Sequence, residues 1–171
     1  MGLIENKLRW CLKKAEREGD KHRGLKEINP DIEKANEHLN KAQHNLKAML
    51  YLSEGKYLDW AVNASFYTMY HCLLAILAKY GYESRNQECT LTVVEYLIIK
   101  KEIDLEFKWL KKIASFENPE PNKKDIITLR EDYQYGTKTL LDEDKLKKLI
   151  DETKDFLDIV KHLLKNNNQD E

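Results

Sequence analysis

The stretch Leu129-Arg130-Glu131-Asp132-Tyr133-Gln134-Tyr135-Gly136 holds the residue types closest to a chemical site. On a helix Arg130 and Tyr133 lie one turn apart, with Tyr135 beyond them. An arginine beside Ile126, Ile127 and Leu129 is drawn partly out of water. A guanidinium so placed needs a carboxylate or a phosphate against it. Two readings stay open: an arginine that holds phosphate, or a structural ion pair with an acid on a neighbouring helix. His71 is the next candidate, in helical line with Ala64, Tyr67, Leu74 and Ala78. A core or subunit-interface histidine bonded to a neighbour is favoured there over a general base or ligand contact. Trp60, Phe66, Tyr67 and Tyr70 form an aromatic cluster that suits a core better than a base-stacking surface. Lys100, Lys101, Lys108, Lys111 and Lys112, with Lys123 and Lys124 beyond, are interrupted by Glu102, Asp104 and Glu106. That spacing favours a solvated face over a phosphate-contacting patch.

Other chemistries lack their residues. No Glu is followed three residues later by His, so the di-iron bundle pattern is absent. His38 and His44 are six apart and do not share a helix face. No zinc spacing of His and Cys occurs, and neither do GxGxxG, GxxxxGK[ST] or GxSxG. Neither a metal nor a cofactor is expected. Cys11, Cys72 and Cys89 are odd in number and share no CxxC spacing, so they read as free thiols in a reducing cytosol.

The elements that must position these residues are helical. The chain has 171 residues, a net charge of −1, 35% charged residues, three prolines and six glycines. That composition suits one helical domain with charged outer faces and sets up no field toward nucleic acid or membrane. Asp59 to Tyr80 is apolar around most of its circumference, which marks a buried central helix. It is read as too short and too polar to span a membrane. Gly81 can end it in the left-handed conformation. A helix before it carries Ile32, Ala35, Leu39, Ala42, Leu46, Met49 and Leu50 on one stripe and starts at Asn29-Pro30-Asp31, with Asn29 as cap. The short link Ser53-Glu54-Gly55 forces the two to lie antiparallel. Residues 3–18 form an amphipathic helix, and 19–29 and 82–88 read as polar loops. Thr90 to Ile99 is rich in β-branched residues but has no partner strand, so helix is expected. Leu105–Phe116 and Lys123–Tyr135 are further helices, with a loop at Asn118-Pro119-Glu120-Pro121. A last helix opens on Asp142. The N-terminus lacks an uninterrupted apolar core, so no signal peptide is expected and a cytoplasmic location is. The expected organisation is an N-terminal helix and loop extension over 1–30, a bundle over 31–165 and a disordered tail over 166–171.

The hairpin from Ala35 to Ser84 resembles the prokaryotic HEPN domains. The resemblance rests on a Gly-x-Tyr turn at Gly55-Lys56-Tyr57 and a following helix of small residues and tyrosines that ends in His-x-x-x-Ala-x-Leu, here His71 to Leu77. It also rests on Gly81 and on the Arg-acidic-x-x-x-Tyr-Gly stretch from Arg130 to Gly136. It covers about Ile32 to Leu164. It implies an all-α, up-and-down bundle of four or five core helices, a homodimer, and in many members a pair of Arg and His that cuts RNA. It also implies a small nucleotidyltransferase as partner. Here Tyr135 stands where that His is expected, and a phenol of pKa near ~10 is a poor proton shuttle near neutral pH.

The expectation is therefore a non-catalytic dimer that binds a nucleotide, RNA or a partner protein through Arg130, Tyr133, Tyr135, Tyr67 and His71. One alternative is a metal-independent ribonuclease in which Arg130 holds phosphate, Asp132 or His71 is the base and Tyr135 the donor. In a variant, Tyr133 or Tyr135 accepts a nucleotidyl group. The third reading is a purely structural helical adaptor.

Overall fold

A computed structural model describes residues 2–114, 126–137, 139 and 141–166. Two antiparallel helices dominate it: α2 over Ile32–Glu54 and α3 over Leu58–Lys79. The cap of α2 is Asp31, two residues later than expected. Its carboxylate accepts from Lys34 N at 2.7 Å. The shift has a tertiary cause. Asp31 N donates to Ala78 O and Ile28 N to Gly81 O, each at 2.9 Å. Asn29 and Pro30 are thereby held as a lead-in against the end of α3. Gly81 has φ +80°, and a Cβ there would lie 2.8 Å from Ile28 O. Only glycine suits both demands. At the turn between α2 and α3 the left-handed residue is Lys56, while a Cβ on Gly55 would press on the Tyr57 ring.

By length and composition α3 does reach what a membrane span needs, contrary to the sequence reading; 72% of that window is buried inside the molecule. Its covering is built from helices on several sides. Besides α2, these are α4 over Gln87–Ile99, α6 over Ile126–Tyr135 and α7 over Glu143–Asn166. Phe66, Met69, Cys72, Leu73, Ile76 and Leu77 are buried between them, in one core cluster with Phe156, Leu157 and Val160 of α7. A buried hydroxyl pair, Ser65 with Thr153 at 2.8 Å, fixes α7 against α3. The short α5, Phe107–Ile113, tucks Trp109, Leu110 and Ile113 under the same core. The β-branched run Thr90–Ile99 is helical, as expected, and Asp142 caps α7 by accepting from Asp144 N and Lys145 N. The expected Asn118–Pro121 loop, the start of the helix expected from Lys123, and the tail residues 167–171 lie outside the described residues.

The N-terminal thirty residues correct two expectations. Cys11 of α1 (Leu3–Glu18) and Cys89 of α4 are bonded to each other, Cα to Cα 5.7 Å, so only Cys72 keeps its thiol, buried in α3. Spacing in sequence could not show a pair 78 residues apart that meets only when α1 packs along α4. The two polar loops also hold a small sheet. Leu25–Glu27 (β1) pairs antiparallel with Tyr82–Ser84 (β2), Lys26 opposite Glu83. His22 is buried beside this ribbon. Its Nδ1 accepts from Gly24 N, and its Nε2 lies 3.7 Å from the Glu83 carboxylate.

Candidate functional site

Ile126, Arg130 and Tyr133 recur at three- and four-residue steps, so they share the face of α6 that meets α3. Ile126 and Tyr133 are buried and anchor the helix, which carries Arg130 inward with them. The Arg130 side chain is only 15% exposed. Its guanidinium carbon stands 4.4 Å from the centre of the Phe66 ring. Phe66 in turn stacks on Tyr70, with centroids 5.7 Å apart, and meets the edge of Tyr67 at 5.2 Å. Tyr70 is held by Thr90 Oγ1 at 3.3 Å, and burial raises its phenol above the usual value. The result is a layered stack that fixes a cation over an aromatic face.

The cation is thinly satisfied. Among the described residues the acid against it is its own neighbour Glu131, at 3.6 Å and mostly exposed, and its buried Nε has no hydrogen-bond partner. The structural ion pair with a neighbouring helix, one of two readings open in the sequence, is not formed among the described residues. A guanidinium in this state has donor capacity for an anion.

The other sequence candidates divide. Tyr133 is 8% exposed and belongs to the core side of α6, whereas Tyr135 is 77% exposed at its end. Asp132 is half-buried on the same helix. His71 lies five residues beyond Phe66, about 140° further round the helix, and so faces away from the arginine. It meets His38 of α2 instead, Nδ1 to Nδ1 at 3.0 Å. Burial first, then His38 and Lys41, lowers the His71 pKa to about 4; burial and Lys34 lower that of His38, against a smaller opposing effect of Glu37. Both rings are thus neutral at pH 7, one donating and one accepting. Among the described residues no three His, Cys, Asp or Glu come together to hold a metal.

The aromatic cluster expected in the core is split. Phe66 is buried, but Trp60 is 61% exposed and Tyr67 43%. With Tyr57, Ala64 and His71 they form a stripe along α3. The lysines expected to be a solvated face are tied down in part: Lys100 to Glu5, Lys108 to Glu106 and Lys112 to Glu152.

Two partners are not evident from the sequence. Phe66 reads there as core, not as the platform under Arg130, and nothing local signals that pairing. His38, six residues from His44, shows no partner on its own helix. Its signal was present: His38 and His71 stand 17 and 16 residues either side of Gly55, which puts them opposite each other in an antiparallel hairpin.

An all-helical core built on a long hairpin is the fold to which the family comparison gives a name. The HEPN domain model matches residues 35–163. The chain belongs to the HEPN domain family. A search of curated proteins finds no match to it.

Proposed function

We propose that the chain is a non-catalytic HEPN protein that binds an anionic ligand, a nucleotide or RNA phosphate, at Arg130. One observation carries this: a half-buried guanidinium held over Phe66 whose buried Nε has no partner among the described residues and whose contact to Glu131 is long. Burying a charge costs free energy, and an arriving phosphate offsets it through charge-assisted hydrogen bonds. Tyr67, 43% exposed with its edge against Phe66, is the aromatic surface proposed for a base or ribose. Tyr135 in place of histidine leaves no imidazole at that position of α6 to move a proton, which favours binding over cleavage. His71 is committed to His38 and stands away from the arginine, which weakens it as the base.

The test is binding of a nucleotide panel by calorimetry, with Arg130→Ala alongside. A phosphate-bearing ligand should bind, and the substitution should weaken it about tenfold or more. If no nucleotide binds, or Arg130→Ala binds as well as the parent, the proposal fails. Cleavage of RNA in EDTA that disappears in Arg130→Ala would replace it with the ribonuclease reading.

The partner proposed with this reading is a small nucleotidyltransferase. In such a pair, the exposed Tyr135 is better placed than the buried Tyr133 to be modified. Its phenol oxygen would attack the α-phosphorus of a nucleoside triphosphate, lose its proton and release pyrophosphate. Mass spectrometry of the protein from its host would find one nucleotidyl mass on the Tyr135 peptide, and an unmodified peptide would count against the pairing.

A further inference from the structure

We infer that the outer face of α1 is a second binding surface, one that takes single-stranded nucleic acid. It lies on residues that precede the matched HEPN span and goes beyond the Arg130 proposal. Over Leu3–Glu18, α1 carries five cations, Lys7, Arg9, Lys13, Lys14 and Arg17, against three acids, Glu5, Glu16 and Glu18. One of those acids, Glu5, is taken up by Lys100 and Gly2 N. Leu8, Cys11 and Ala15 face the core, so the cations lie on the outer side. Lys7, Trp10, Lys14 and Arg17 recur at three- and four-residue steps, forming a ridge with an indole in its middle. Trp10 is 46% exposed, and the Lys14 ammonium stands 5.2 Å from its ring centre. An exposed aromatic ring flanked by cations is the arrangement on which an unpaired base stacks while its phosphates are neutralised.

A second observation points to the same ligand. Beside Trp10, α1 and α4 enclose an open groove of about 350 Å³. Lys7 and Trp10 form one wall, Glu88 and Thr92 the other, with Asn6 at the rim. The volume suits a base with its sugar. The exposed Asn6 amide offers both a donor and an acceptor to a base edge, while the Thr92 hydroxyl is spent on Glu88 O. Glu88 accepts only and would turn a phosphate away, so the phosphates belong on the ridge and the base in the groove. A duplex, with its bases paired and stacked, cannot enter.

The test is fluorescence anisotropy of a labelled oligouridylate with the full chain, alongside Trp10→Ala, Trp10→Phe, the double variant Lys14→Glu/Arg17→Glu, and Arg130→Ala. All these α1 positions are on the outward side, and thermal melts confirm that the variants fold. The single strand should bind more tightly than a duplex of equal length, with log affinity falling against log salt by about 0.7 per phosphate contacted. Trp10→Ala and the charge reversal should each weaken it about tenfold, while Trp10→Phe stays near the parent and both α1 variants keep the mononucleotide binding that Arg130→Ala loses. Absence of binding, equal binding by the α1 variants, or duplex preferred to single strand would overturn the inference. Loss in Arg130→Ala alone would also overturn it, while leaving the Arg130 proposal standing.

Discussion

Arg130 can be separated from an ordinary structural arginine by its effect on stability. A buried cation with good partners is costly to remove, because those partners are left unpaired. Among the described residues Arg130 has no such partner set, and its stem and Phe66 supply the packing. Arg130→Met keeps the stem and discards the charge. Its chemical melt should shift by less than about 1 kcal/mol, while anion binding is lost. A large destabilisation would mark the arginine as structural. The His38–His71 pair makes a pH prediction. Both pKa values in the fold are lowered from 6.5, His71 to about 4. The unfolded chain therefore binds more protons than the fold between those values, so stability is full above about pH 6.5 and falls as pH drops toward 4. Each ring's first cause is burial, and two cations so close cannot both be accommodated. His71→Gln should flatten that limb of the pH–stability curve; a curve unchanged by the substitution would show that other groups set it.

At the scale of elements, the N-terminal segment is fastened rather than loosely attached. Cys11–Cys89, the β1–β2 ribbon, Lys100–Glu5 and the Arg85 guanidinium on Asp20 O each bind it to the body. Closing a loop of 78 residues restricts the unfolded chain, worth up to about 4 kcal/mol in the chain-entropy account. Cys11→Ser/Cys89→Ser should therefore lower the melting temperature by several degrees, and added reductant should do the same to the parent protein. Equal melts with and without reductant would show that the bond does not form in solution. The helices themselves were readable from the chain because each has a period or a stop: the stripe of α2, the apolar run of α3, and Gly81 with its forced φ. The start of α2 was not, since Asp31 is selected over Asn29 by hydrogen bonds from the far end of α3. The strands were not either. Three residues of Leu-Lys-Glu and three of Tyr-Glu-Ser carry no alternation long enough to read, and they pair only because α1 brings one beside the other.

At the scale of the whole molecule, Tyr57, Trp60 and Tyr67 are exposed on one stripe with the half-buried Ala64 and His71, and we propose this stripe as the seam of the homodimer that the family resemblance implies. Large aromatics left in water on the most apolar helix leave area to be covered. Small Ala64 between Trp60 and Tyr67 offers a notch that a second copy's ring could fill in a two-fold arrangement. Light scattering should give twice the chain mass, and Trp60→Glu should give the monomer. A monomeric parent would remove the dimer from the proposal. The charge is divided as well, α1 carrying a net +2 although the whole chain carries −1. A net charge near zero therefore said nothing about local binding surfaces.

The sequence by itself determined the helical class, the hairpin and the family likeness. Those depend on periodicity and short links, which act between residues near in the chain. It also singled out Arg130, because an arginine among isoleucines is anomalous wherever it sits. Only the tertiary structure decided which ring lies under that arginine, that His71 turns to His38, that Tyr133 is buried and Tyr135 is not, and that Cys11 reaches Cys89. Each of those depends on the angle at which one helix meets another, and that angle is set by the packing of the whole core rather than by any local run of residues.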